Sequence, residues 1–248
     1  ELWGVLLDPT STDPRIPVIL SKFLRANTDN FEAAEVSLRQ TLVWRAEFSL
    51  PTLLASEVFP ETLGDNVGFI YRKDTKGRPV IYNRYGGLDT KVIFGDLDRF
   101  VRWRVRLMEQ SMLQCDFLHV DSLLVVHDYA GVGVLSYDKY AKAASKKTIA
   151  VLQEYYPECL AVKLFIHIPW WGASIYKLVS RWIPEATKKK MSIVSTTETH
   201  SALCQYINEE DLPTVYQKPS AQMKGKGSKA LQGNSVSTDA PMALEGDG

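Results

Sequence analysis

The residues best placed to do chemistry in this chain stand at the end of one apolar run. Leu123-Leu124-Val125-Val126 has no polar alternation, as in a strand buried on both faces, and it delivers His127, Asp128 and Tyr129 before Gly131 and Gly133 break it. Side chains alternate along a strand, so His127 and Tyr129 share one face and Asp128 takes the other. An imidazole beside a phenol at such a place is either a satisfied polar pair or a ligand site. A free phenol has a pKa of about 10, so tyrosine binds a metal at neutral pH only where the metal displaces its proton. Other chemistries fit less well. No Gly-x-Ser-x-Gly turn is present for a Ser-His-Asp hydrolase, and Cys115, Cys159 and Cys204 are too far apart for a cysteine metal motif. His119 and His200 read as surface residues and His167 as a strand residue.

The chain has 248 residues, enough for one large or two modest domains with a full core. Its 29 basic residues balance 29 acidic ones, so no net field favours nucleic acid or an anionic membrane. An odd, scattered set of 3 cysteines suits reduced thiols and the cytosol. No apolar run approaches the roughly 20 residues that span a bilayer, so any membrane contact is expected to be peripheral. No signal-peptide pattern is seen; the chain starts at Glu1 without Met, so a native N-terminus can be missing.

The elements that must position these residues follow in order. Residues 16–48 read as helices, broken and capped at Asn27-Thr28-Asp29-Asn30. Gly68–Tyr71 and Pro79–Tyr82 read as strands joined by a polar hairpin turn. The stretch from Asp96 to Gln114 carries two apolar stripes and is expected to be an embedded helix. Arg102 lies outside both stripes, beside Glu109 in angle, a place usual for a solvated or salt-bridged flank. After the 123–126 strand come a helix near 137–154, strand Leu164–Ile168, a tryptophan-rich helix Trp170–Trp182, strand Met191–Val194 and helix His200–Ile207. Strands alternating with helices imply an α/β fold with parallel pairing. From Lys218 the composition loses periodicity and reads as a disordered tail.

Several segments together resemble the CRAL-TRIO lipid-binding family. They are Lys22-Phe23-Leu24-Arg25-Ala26-Asn27 with the helix to Trp44-Arg45; Asp74-x-x-Gly77-Arg78-Pro79-Val80; Asp128-x-x-Gly131; Tyr156-Pro157-Glu158-x-Leu160 through Pro169; Pro184-x-x-Thr187-x-x-Lys190; and Leu212-Pro213-x-x-Tyr216. The resemblance implies an N-terminal helical lobe at 1–55 and a CRAL-TRIO domain at 56–217, followed by the tail at 218–248. The domain would be a mixed sheet flooring a hydrophobic cavity, with Trp170–Trp182 as a movable lid. It departs from the family at His167-Ile168-Pro169, where many members carry asparagine, and at Tyr216-Gln217-Lys218, where they end in Tyr-Gly-Gly. In phosphatidylinositol-transfer members the headgroup is held at positions matching Glu158, Thr187 and Lys190. Lysine neutralises phosphate there, and the other two can hydrogen-bond phosphate and ring hydroxyls.

Within the family the chain is most similar to a fungal SFH-type branch that binds haem as well as phosphatidylinositol. The resemblance implies ferric haem b with Tyr129 as axial iron ligand, His127 beside it, and further haem contacts at Tyr82, Arg102 and Lys163. Tyrosine is an attested haem ligand. Arg102 or Lys163 would stabilise the phenolate or pair with the propionates. The iron would be ferric, five-coordinate or water-bound, and haem would compete with phospholipid for one cavity. The expected function is a non-enzymatic carrier of haem and phosphatidylinositol. It would be cytosolic, in transient contact with endoplasmic reticulum or plasma membrane, and without nucleic-acid partners. The alternatives are a haem-dependent peroxidase or catalase, which lacks an identifiable distal acid–base group, a phosphatidylinositol transfer protein without haem, and a scaffold with a vestigial cavity.

Overall fold

A computed structural model of the chain describes residues 1–133, 136–168, 181 and 183–218. Residues Glu1–Gln217 form one compact unit. The expected lid Trp170–Trp182, Arg181 excepted, and the expected tail beyond Lys218 lie outside the described residues. Among the described residues no helix is long and apolar enough to cross a membrane.

The helical lobe is built from α1 (Arg15–Ala26), α2 (Phe31–Glu47) and α3 (Leu50–Ala55). The Asn30 side chain caps α2 by accepting from the Ala33 amide at 2.8 Å. The lobe shares its core with the rest of the unit. Ile19, Phe23, Leu50 and Leu53 are buried with Val101, Val105 and Leu123. A buried polar link reinforces this contact. Glu109 receives both guanidinium nitrogens of Arg45, at 2.6 and 2.9 Å, and the Tyr156 hydroxyl at 2.7 Å. So the carboxylate that the sequence placed beside Arg102 pairs with the lobe instead.

Five strands lie in sequence order, β1 (Gly68–Lys73), β2 (Pro79–Arg84), β3 (Leu123–Asp128), β4 (Leu160–Ile168) and β5 (Met191–Ser195). The first pair is antiparallel and the others are parallel, so the sheet is mixed, as expected. Asp74 shapes the β1–β2 turn. It accepts from the Lys76 and Arg78 amides at 2.9 and 2.8 Å and from the Arg78 guanidinium at 2.6 Å. Helices α4 (Thr90–Phe94) and α5 (Leu97–Met112) connect β2 to β3, and α6 (Lys139–Tyr155) connects β3 to β4. Asp89, Asp96 and Asp138 cap them in turn.

Strand periodicity divides the core in two. On one face Ile81 and Leu123 meet Val101 and Val105 of α5. On the other, Val80, Tyr82, Leu124, Val126, Leu164 and Ile166 are covered by Leu203, Ile207, Leu212 and Tyr216 near the end of the unit. β3 is buried throughout except at Val125, which fits its unbroken apolar run.

Candidate functional site

A cavity opens between the sheet and helices α4 to α6. His127 and Tyr129 enter it from β3, Lys163 and Phe165 from β4, Arg104 from α5, and Tyr85 from the turn after β2. Strand register explains the grouping. Val125 pairs with Lys163 and His127 with Phe165, so these side chains and Tyr129 share one face. The remaining wall includes Phe94, Phe100, Tyr137 and Ile149.

The turn after β2 is pressed against the end of β3. A Cβ at Gly86 would stand 1.7 Å from the Ala130 carbonyl oxygen, so only glycine permits the approach. Gly131 opposite it has φ +77°, a conformation glycine adopts freely. The Tyr85 amide donates to the Asp128 carbonyl at 3.0 Å. Tyr85 is thereby held 5.1 Å, ring to ring, from Tyr129 and 5.4 Å from His127. Its hydroxyl lies 3.1 Å from His127 Nδ1. The other ring nitrogen, Nε2, is buried with no hydrogen-bond partner among the described residues. An orphaned buried polar atom costs about 1–3 kcal/mol unless something meets it.

Burial sets the protonation states. It pushes the Tyr129 phenol well above 10, and the neighbouring phenols of Tyr85 and Tyr137 add to the rise. His127 is driven well below 6.5 by burial, then by the positive charges of Lys163 and Arg104. Lys163 falls to about 7, through burial first and Arg104 second. Among the described residues neither Arg104 nor Lys163 has a carboxylate partner. The cationic groups therefore act on His127. The site combines a neutral phenol, an open imidazole nitrogen and two cations within aromatic walls. Such a site suits a large apolar ligand carrying acidic groups.

Of the expected haem contacts, His127, Tyr129 and Lys163 line this cavity, whereas Tyr82 and Arg102 do not. Tyr82 pairs with Val126, one residue out of phase with His127, and so faces the opposite side of the sheet. There it stacks between Phe69 and Tyr216 at 5.2 and 5.6 Å. Arg102 turns away to Glu57, with Nε 2.8 and 2.9 Å from the two carboxylate oxygens, and donates to the Phe48 carbonyl at 2.9 Å. It is the salt-bridged flank that helical angle suggested. Tyr85 and Arg104 occupy the cavity in their place. Both carried a signal, since Gly86-Gly87 marks a turn and Arg104 stands one helical turn from Phe100.

Asp128 faces away, as alternation requires. It accepts from the Ala130 amide and the Tyr216 hydroxyl at 2.8 and 2.7 Å, and lies 2.7 Å from His167 Nδ1. His167 reaches that side because its φ of +53° interrupts the alternation of β4.

The expected headgroup residues stand elsewhere, where β4 and β5 begin. Lys190 Nζ lies 2.8 Å from the Glu158 carboxylate. Glu158 takes φ +52°, a strained conformation outside glycine, and its carbonyl accepts from the fully buried Lys22 at 3.0 Å. Lys22 is also 3.0 Å from Asp121. The Thr187 carbonyl accepts from the Lys190 amide at 3.0 Å. None of Glu158, Thr187 and Lys190 lines the cavity. Lys190 stands beside Lys163, which pairs with Val125, so about four residues of strand, about 13 Å, lie between it and Tyr129.

Comparison with known proteins agrees with this architecture. The family described as "CRAL/TRIO domain" matches residues 63–217. The phosphatidylinositol transfer protein sfh5 of Botryotinia fuckeliana is 31% identical over 95% of this chain and 55% of its own length. Patellin-5 of Arabidopsis thaliana is 31% identical over 87% of this chain and 33% of its own. The phosphatidylinositol transfer protein SFH5 of Kluyveromyces lactis is 34% identical over 79% of this chain and 68% of its own. The chain thus spans 55% and 33% of the first two relatives. The crystal structure of Sfh5 superposes with a TM-score of 0.74 at 31% identity, covering 82% of this chain and 75% of that one.

Proposed function

The chain belongs to the CRAL/TRIO domain family, and on that footing we propose that it is a non-enzymatic carrier of phosphatidylinositol and of ferric haem b. One observation carries the haem reading. His127 and Tyr129 face an aromatic cavity together with two cations, Arg104 and Lys163, that have no carboxylate partner among the described residues. The donor set fits haem: a phenol oxygen for iron, an open imidazole nitrogen, and cations for the propionates. Tyr129 would hold the iron and Tyr85 and His127 would flank it. Arg104 and Lys163 would take the contacts expected of Arg102 and Lys163.

When bound, ferric iron would supply the Lewis acidity that displaces the Tyr129 proton. The protein's own part is positional. Tyr85 orients His127, the aromatic walls exclude water, and the two cations draw acidic groups to one end. The similarity to proteins named for phosphatidylinositol transfer supports the lipid role, with Glu158, Thr187 and Lys190 on the headgroup. The two ligands would compete for cavity space, since one cavity of this size would not hold both. A cytosolic carrier meeting membranes transiently is consistent with this reading.

The test is the visible spectrum of freshly purified protein, then of protein given haemin, beside a Tyr129→Phe variant. A haem band lost or shifted by the substitution is expected. A colourless protein even after added haemin would leave phosphatidylinositol as the cavity's ligand. Peroxidase or catalase turnover above that of free haem would replace the carrier with an enzyme.

A further inference from the structure

A second set of ligating side chains lies on the far face of the sheet. His200 and Cys204 are one turn apart on the helix Thr199–Cys204, so their side chains share a face. Glu209 opens the next turn, Glu209–Asp211, and folds back onto both. His200 Nε2 is 2.5 Å from Glu209 Oε2, and Cys204 Sγ is 3.6 Å from that nitrogen and 3.4 Å from that oxygen.

We propose that His200, Cys204 and Glu209 form a zinc site. A tetrahedral zinc ion with ligands at about 2.0–2.3 Å separates those ligands by about 3.3–3.8 Å. The two distances from the thiol already have that length. The third opens to it when the Glu209 carboxylate swings outward by about 1 Å.

The scaffold around the set is fixed independently of any ion. Leu203, Ile207 and Leu212 alternate with the ligands along the chain and are fully buried against the sheet. The Tyr206 carbonyl also accepts from the Thr75 amide at 2.8 Å, tying the segment to the β1–β2 turn. Anchored turns that present a nitrogen, a sulfur and an oxygen donor to one point are what a metal site requires. A histidine–glutamate pair alone would be an ordinary surface contact, and the thiol is what distinguishes the set. Mixed N, S and O donors select a borderline ion such as zinc. Three protein ligands leave the fourth position to water, which makes the ion exchangeable.

The site is tested on tag-free, chelator-treated protein titrated with Co2+ and then with Zn2+. One equivalent of Co2+ should give a near-ultraviolet thiolate-to-cobalt band with visible tetrahedral bands, and Zn2+ should abolish both. Cys204→Ser should remove the near-ultraviolet band. His200→Ala should weaken binding at least tenfold, and Tyr129→Phe should leave it unchanged. Far-ultraviolet circular dichroism establishes that each variant is folded. Absence of the band, or a band that survives Cys204→Ser, would reduce the cluster to a hydrogen-bonded surface pair and overturn the proposal.

Discussion

The Tyr85 hydroxyl and His127 Nδ1 lie 3.1 Å apart, while His127 Nε2 has no partner among the described residues. One nitrogen is therefore held and the other is left for whatever enters the cavity. Burial beside Lys163 and Arg104 keeps the ring neutral, so it meets a ligand without adding a third positive charge. The same arrangement makes the fold acid-sensitive. In the unfolded chain His127 takes up a proton as the pH falls through about 6.5, and in the folded chain it does so only much lower. Stability is therefore full above about 6.5 and declines below it. His127→Phe should flatten that decline in denaturant titrations at pH 5 and pH 7, and an undiminished slope would assign it to another group.

Arg102 and Arg104 provide a paired test of the site. Arg104→Met removes a half-buried, cavity-lining cation that has no carboxylate partner among the described residues, so stability should hold or rise while haemin affinity falls tenfold or more. Arg102→Met breaks the contacts to Glu57 and Phe48 and should cost about 1–2 kcal/mol, with haemin affinity unchanged. The reverse pattern in haemin titration and thermal melts would return the cavity contact to Arg102.

Tyr129→Phe should leave the fold within about 1 kcal/mol of the parent, because the ring still packs against Tyr85 and Phe165. It should nevertheless alter the ferric haem spectrum more than Tyr85→Phe does. Equal spectral effects from the two substitutions would move the iron ligand away from Tyr129.

Lys163 has its pKa lowered to about 7, from about 10.5 in an unfolded chain. Below about 7 the folded protein must hold a buried charge, and between about 7 and 10.5 only the unfolded state retains the proton. The cost is thus full at and below neutral pH, and stability recovers as the pH rises toward 10.5. Lys163→Met should stabilise the protein at pH 6 by about 1–3 kcal/mol, with little gain at pH 10. If the lysine serves an acidic ligand, the same variant should bind haemin less tightly. Stability gained at no cost in affinity would make it a structural residue only.

The arrangement of His127, Asp128 and Tyr129 was legible in the sequence because strand alternation acts within three consecutive residues. Tyr82 and Arg102 were not correctly placed, for a related reason. Every residue of Pro79-Val80-Ile81-Tyr82 is compatible with burial, so its pattern marks neither face. Tyr85 stands three residues beyond Tyr82, and an odd step reverses the face of an extended chain. The two-residue step from Arg102 to Arg104 turns about 200° on a helix, enough to exchange a flank for a cavity wall. The turn that carries Tyr85 also packs Gly86 against Ala130, a contact between distant segments that no local pattern contains. The metal-ligating cluster was missed because its single cysteine completes a set only once the chain turns back at Glu209.

Lys190 and Glu158 give the last prediction, because their pairing separates the two proposed ligands. The pair is half-buried and its ammonium and carboxylate are 2.8 Å apart, so as a salt bridge it is worth about 0–1 kcal/mol. Lys190→Ala should therefore barely shift the melting temperature. A lysine that neutralises a headgroup phosphate contributes more, through charge-assisted hydrogen bonds of about 1.5–3 kcal/mol. Phosphatidylinositol exchange between vesicles should accordingly fall about tenfold or more in Lys190→Ala, with phosphatidylcholine exchange less affected. The haem spectrum should not change, because the Lys190 side chain does not line the cavity. Unimpaired phosphatidylinositol exchange in this variant would remove the headgroup role while leaving the haem reading intact. Loss of the haem band in the same variant would mean that the two ends of the sheet do not act separately.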